Sequence, residues 1–152
     1  MKIPLIRIGF AAYHAAERGA PAAQAPPAFE MFEFADGTTI DLGPLASQLC
    51  ARYYETYPDD LGRYGDAGRA WCEHDSRYLL AWALEDARAG TVDCVAQVAW
   101  LGRVLSARDF PIDRLAHHVA LTATLLRTAA LGQTADRAAE RMAVAASQLR
   151  LQ

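Results

Sequence analysis

Chemistry in this chain would have to come from four histidines, three cysteines and a few acids placed among apolar residues. His14, His74, His117 and His118 form no HExxH, no paired ExxH and no HxxxH pattern. The spacings that hold zinc or a di-iron centre on helices are therefore missing, and no metal site is expected. Asp113 and His117 stand four residues apart, on one side of a helix, where a carboxylate could orient an imidazole for acid–base work. Asp113 also falls in a helix's first turn, where a negative charge meets the helix dipole favourably, and that structural reading is preferred. His118 could ligate a haem in a helical pocket, the basis of a globin-like alternative.

Asp75 is the sharper anomaly. At 100° per residue it shares a helical row with Trp71, Tyr78 and Trp82, so its carboxylate is expected among buried aromatics. Arg63, Tyr64, Arg69 or a backbone amide of the neighbouring turn are its expected partners, locking turn to helix. Trp71, Asp75, Tyr78 and Trp82, with His118, are the candidate lining of a ligand pocket. Glu73 and His74 are expected to point to other sides of the helix, which breaks up a Glu-His-Asp catalytic cluster. Cys50, Cys72 and Cys94 lack CxxC spacing and read as reduced, core-filling thiols. No GxSxG, SxxK or GxGxxG pattern is present. The residues thus argue against an enzyme, and a reaction through Asp75 or the Asp113–His117 pair is kept as an alternative.

The elements that would position these groups are mostly helical. Residues 3–10 suit a short strand or a helix entry, and 18–27, with Pro26-Pro27, reads as a linker or arm. Phe29 to Phe34 and Thr38 to Leu42 flank Ala35-Asp36-Gly37, a hairpin signal. After Gly43-Pro44, the residues Leu45, Leu49, Tyr53 and Tyr57 recur every fourth position and predict a helix ending at Tyr57-Pro58-Asp59-Asp60. Gly62, Gly65 and Gly68 make 60–68 turn-like, and the central helix is expected over 67–87, apolar on more than one side. Ala89-Gly90 should close it. Further helices are expected over 93–106 with Thr91 as cap, over 112–130, and from a Thr134 cap onward with Ala138, Met142, Ala145 and Leu149 inward. The expected fold is mainly α: an antiparallel bundle of about five helices over 44–152, with an N-terminal arm and β-hairpin over 1–43, as one compact domain.

Composition limits the function classes. A chain of 152 residues with 53% hydrophobic and 22% charged residues can bury a core of its own. A net charge of −3 supplies no basic face for nucleic acid. Lys2 is the one lysine, so the arginines reflect compositional bias more than anion sites. No apolar run approaches the ~18–20 residues of a membrane span, and 1–7, broken by Pro4 and Arg7, makes a poor signal peptide; a cytoplasmic location is expected.

The order Arg-Tyr-Gly-x-x-Gly-Arg-x-x-Cys-x-x-Asp-x-x-Tyr-x-Leu over 63–80 resembles a helical domain of bacterial regulatory and sensory proteins. The pattern Val95, Trp100-Leu101, Val104-Leu105, Arg108 and Pro111 extends the likeness over about 60–127. In such proteins the domain often precedes a cobalamin-binding domain carrying Asp-x-His-x-x-Gly, a motif this sequence lacks. The resemblance implies a helical module in a regulatory or sensory setting, with Tyr64, Gly65, Gly68, Arg69, Asp75 and Tyr78 as its structural signature. No cofactor is expected on these grounds, neither haem nor cobalamin. The expected function is a stand-alone, non-enzymatic module acting through a protein partner or a homodimer. The arm and hairpin are the expected contact, because exposed strand edges invite pairing.

Overall fold

In the computed structural model, residues 29–107 and 109–152 are described. The expected element over 3–10, the linker over 18–27, His14 and Arg108 lie outside the described residues.

Asp36-Gly37 turns the chain as its residue types demand. Asp36 Oδ1 accepts from the Thr38 amide at 3.0 Å and the Thr38 hydroxyl at 2.7 Å, and Gly37 takes φ 86°, a conformation that glycine adopts freely. The flanking strands, β1 (Met31–Glu33) and β2 (Thr39–Asp41), pair antiparallel with Phe32 opposite Ile40. Phe32 points inward, edge-on to Phe34 and under the Arg88 guanidinium.

Asp41 ends β2 and at the same time caps helix α1 (Leu42–Thr56), its Oδ1 accepting from the Gly43 amide at 2.8 Å. The helix therefore starts two residues before Pro44, and the hairpin runs into the bundle without a linker. Its inward face is Leu42, Ala46, Leu49, Cys50 and Tyr53, while Leu45 and Tyr57 are only half-buried. Tyr57 then passes the chain to α2 (Pro58–Ala89).

The expected turn over 60–68 is mostly helix. Pro58 in the first turn, with Asp59 and Asp60 against the helix dipole, starts α2 well before residue 67. One residue breaks it: Gly65, at φ 63° and ψ −155°. Three residues on, a Cβ at Gly68 would run into the Cβ and ring of Tyr64, so the chain needs a residue without a side chain there. Gly62 faces open space. Two of the three glycines thus have a structural reason, one conformational and one steric. At the far end Gly90, at φ 64°, closes α2 by donating its amide to the Asp86 and Glu85 carbonyls, as expected.

Helix α3 (Cys94–Ser106) is capped by Asp93, whose Oδ1 accepts from the Ala96 amide; Thr91 instead gives its hydroxyl to Glu85. Pro111 precedes α4 (Ile112–Thr128), which stops two residues short of expectation. Helix α5 (Gln133–Leu149) follows Gly132 at φ 89° with no side-chain cap, so Thr134 lies inside it. The stripe of Ala138, Met142, Ala145 and Leu149 is buried as expected, joined by Ala135, Ala139 and Ala146. These small residues let α5 lie against α2, α3 and α4 together. At Gly102 of α3 the fit is so close that a Cβ would meet Leu149. Among the described residues the protein is a bundle of five helices with a small two-stranded sheet before it. Helix α2 is its hub: from Trp71 to Glu85 only Glu73 and Arg77 reach partway to the surface.

Candidate functional site

A helix contacted on every side must bury whatever it carries, and α2 carries polar groups. Trp71, His74, Tyr78 and Trp82 form a ladder of rings, 5.4, 5.0 and 6.4 Å between successive centroids, and Phe29 closes edge-on against Tyr78 at 5.3 Å. Asp75 lies beside this ladder with no solvent exposure. Its Oδ1 is 3.1 Å from His74 Nδ1, and this corrects two expectations. Arg63, Tyr64 and Arg69 are not its partners, and His74, expected on another side of the helix, turns back to the carboxylate. Arg69 lies exposed on a groove instead, with Glu73 nearby, so no Glu-His-Asp cluster forms.

The other oxygen, Asp75 Oδ2, and the other ring nitrogen, His74 Nε2, are buried without a hydrogen-bond partner among the described residues. Burial pushes the Asp75 carboxyl up to about 6, against the opposing pull of His74. A carboxyl titrating near neutrality beside an imidazole can pass a proton. Trp71, Tyr78 and Trp82, the other proposed pocket-lining residues, are all within 9% exposure and pack around it.

On the side of α2 facing α1 and α4 runs a second chain of contacts. Cys50 Sγ is 2.8 Å from Cys72 Sγ and 3.5 Å from Ser76 Oγ, and Ser76 Oγ is 2.9 Å from His118 Nε2. Cys72 is held as a thiol, its pKa raised first by the bond with Cys50 and then by burial. His118 is pushed down to about 4 by burial and by neighbouring His117, so its ring is neutral. With Nε2 bonded to Ser76 and the ring 5.2 Å from that of Tyr53, His118 is a packed core residue joining α4 to α2.

Asp113 stands in the first turn of α4, the preferred reading, and the alternative Asp113–His117 pair does not form. His117 Nε2 bonds the Thr56 hydroxyl at 3.0 Å, with its ring edge-on to Tyr57, while Asp113 is exposed. The charged contact in this region is one residue further on. Arg114 of α4 reaches Asp60 Oδ1 at 2.7 Å and Asp59 Oδ2 at 2.9 Å, with its guanidinium 4.5 Å from the Tyr57 ring. The Tyr53 hydroxyl donates to Asp60 Oδ2 at 2.6 Å. The buried Asp60 thus ties α1, α2 and α4 together.

Sequence reading did not find the Cys50–Cys72, Ser76–His118 or Tyr53–Asp60–Arg114 contacts. All join different helices, and the sequence offers no local periodicity that would mark them. The nearest signal was the Asp59-Asp60 pair after Pro58, read there as a helix end.

Two surface grooves are well formed among the described residues. One, about 470 Å³, lies between α1 and α2 and is lined by polar Ser47, Glu55, Arg69 and Glu73 above Cys50 and Tyr54. The other, about 430 Å³, lies between the hairpin turn and the α4–α5 connection. Neither is lined by His74, Asp75 or His118. Among the described residues no group of three or more His, Cys, Asp and Glu side chains is placed to hold a metal ion, and no helix is long and apolar enough to cross a membrane. Comparison of the chain with family models, with curated proteins and with solved structures returns no match.

Proposed function

We propose that this chain is a non-enzymatic regulatory or sensory module of the cytoplasm that acts through protein contacts, as a homodimer or with a protein partner. The observation that carries this reading is where the reactive groups lie. Cys72, His74, Asp75, Ser76 and His118 are each 4% exposed or less and are bonded mainly to one another or to Cys50, which lines a groove. Groups so placed hold helices together, whereas a catalytic group must meet a substrate. What the surface offers is contact area: two polar-rimmed grooves and a two-stranded sheet whose outer edges have no further strand among the described residues. The resemblance of 63–80 to a helical regulatory domain points the same way.

Sedimentation velocity of the full chain over a wide concentration range tests the homodimer form. The expected result is reversible dimerisation, weakened by Met31→Lys, which puts a charge on the exposed methionine of β1. A monomer at every concentration, indifferent to that substitution, refutes it.

One observation favours a second reading, a small-molecule sensor. The unpartnered His74 Nε2 and Asp75 Oδ2 are what a ligand seated beside Trp71, Tyr78 and Trp82 would satisfy. Quenching of tryptophan fluorescence by a ligand, lost in Asp75→Asn, would support it. The haem form through His118 is weaker, because the ligating nitrogen is engaged by Ser76. An enzyme using Asp113 and His117 is weaker still, since the two do not pair.

A further inference from the structure

Two of the three cysteines, 22 residues apart in the chain, meet across the α1–α2 interface. Their sulfurs stand 2.8 Å apart, about 0.8 Å more than a disulfide bond of about 2.0 Å. Both belong to well-packed helices, so the approach is built into the fold. Cys50, itself only 2% exposed, is part of the α1–α2 groove lining, whereas Cys72 is not and has no exposure. Cys94 is far from both, at the start of α3, its amide bonded to Asp86.

We propose that Cys50 and Cys72 form a reversible dithiol–disulfide couple that exchanges with low-molecular-weight disulfides entering through the α1–α2 groove. The order of events follows from position. Cys50, on the groove, loses its proton and attacks one sulfur of the small disulfide. The small disulfide's S–S bond breaks, a mixed disulfide forms on Cys50, and one small thiol leaves. Cys72, already in contact, then gives up its proton and attacks the Cys50 sulfur. The protein disulfide forms and the second small thiol leaves with the electron pair of the mixed disulfide. In sum, one small disulfide is reduced to two thiols and two protein thiols are oxidised to one disulfide.

The arrangement assigns different parts to the two sulfurs. Cys72 is bonded to Cys50, has no exposure and is not part of the groove lining, to which Cys50 belongs. It is the resolving thiol. The juxtaposition makes the second step intramolecular, so a mixed disulfide on Cys50 should not accumulate. Closing the couple would join α1 to α2 covalently at the groove that Tyr54 and Glu73 also line, and would replace the Cys50–Cys72 hydrogen bond and take the Cys50 proton from its contact with Ser76. The state of the groove would then report the thiol–disulfide balance around the protein. This holds whether or not the chain is a regulatory module.

The test uses the reduced full chain, brought to equilibrium with excess oxidised glutathione and also refolded in the same buffer. Each sample is denatured, alkylated and mapped by mass spectrometry. The expected product has lost two hydrogens, carries a Cys50–Cys72 link and a single alkylated thiol at Cys94, and returns to three thiols on adding reduced glutathione. Cys72→Ser should stop at a glutathione adduct on Cys50, and Cys50→Ser should leave Cys72 free. Cys94→Ser should leave the link intact, which keeps the test valid if either of the other variants fails to fold. Three alkylated cysteines in both samples, or a lasting adduct on Cys50 of the unmodified chain, would overturn the proposal.

Discussion

Replacing Asp75 with asparagine keeps the shape and removes the charge, and the dependence of stability on pH then separates two buried groups. Asp75 has a folded-state pKa of about 6 against 3.8 for a free carboxyl, raised by burial. A raised carboxyl is stabilising while protonated, and that contribution is lost as pH rises through about 6. At about 1.4 kcal/mol per tenfold change in proton affinity, the loss is on the order of 3 kcal/mol. His118 works in the opposite sense. Its pKa falls from 6.5 to about 4, so the folded protein resists a proton that the unfolded chain accepts. Stability from His118 therefore rises with pH across the same window, again by on the order of 3 kcal/mol. In the unmodified chain the two contributions run against each other and should largely cancel. Urea unfolding from about pH 4 to pH 7 should thus give a shallow profile for the parent chain. Relative to it, Asp75→Asn should gain about 3 kcal/mol between those limits, and His118→Gln should lose about as much. An Asp75→Asn profile parallel to that of the parent chain would refute the assignment. It would mean that the carboxylate finds, in the folded state, a partner as good as water.

Asp60→Ala should cost about 2–3 kcal/mol in urea unfolding, because it strands the Tyr53 hydroxyl and the half-buried Arg114 at once, whereas Asp59→Ala, at an exposed ion pair screened by solvent, should cost clearly less. Equal losses would show that Asp60 is not the tie between α1, α2 and α4. Gly68→Ala should destabilise by about 1–3 kcal/mol through its clash with Tyr64, while Gly62→Ala, in open space on the same helix, should be neutral or stabilising by up to about 1 kcal/mol. Thermal unfolding of the pair checks this, and a harmless Gly68→Ala would mean that the chain at Gly65 can open without penalty.

Helix existence was legible because it is a local property. The inward stripe of α5, the glycine stop at Gly90, the Asp-Gly hairpin and the many-sided burial of α2 all follow from residue order, since each depends on neighbours within a few positions. Even the burial of Asp75 followed, from its row of aromatics. Helix starts were less legible: Asp93 caps α3 where Thr91 stood as the candidate, and Asp41 starts α1 two residues before Pro44, choices decided by which oxygen reaches an amide. The 60–68 segment was misjudged because glycine permits a turn without imposing one, and the proline and two acids before it favour a helix.

The sequence by itself thus determined the fold class, the hub helix and the acid buried in it. Only the tertiary structure decided what that acid and the other polar groups meet. His74 rather than an arginine faces Asp75; Thr56 rather than Asp113 holds His117; Cys50 finds Cys72, and Asp60 finds Tyr53 and Arg114. Periodicity states which face of a helix turns inward, because burial needs only a direction. A hydrogen bond needs two atoms within about 3 Å. That distance is set by how far one helix slides and rotates on another, which no single stretch of chain encodes.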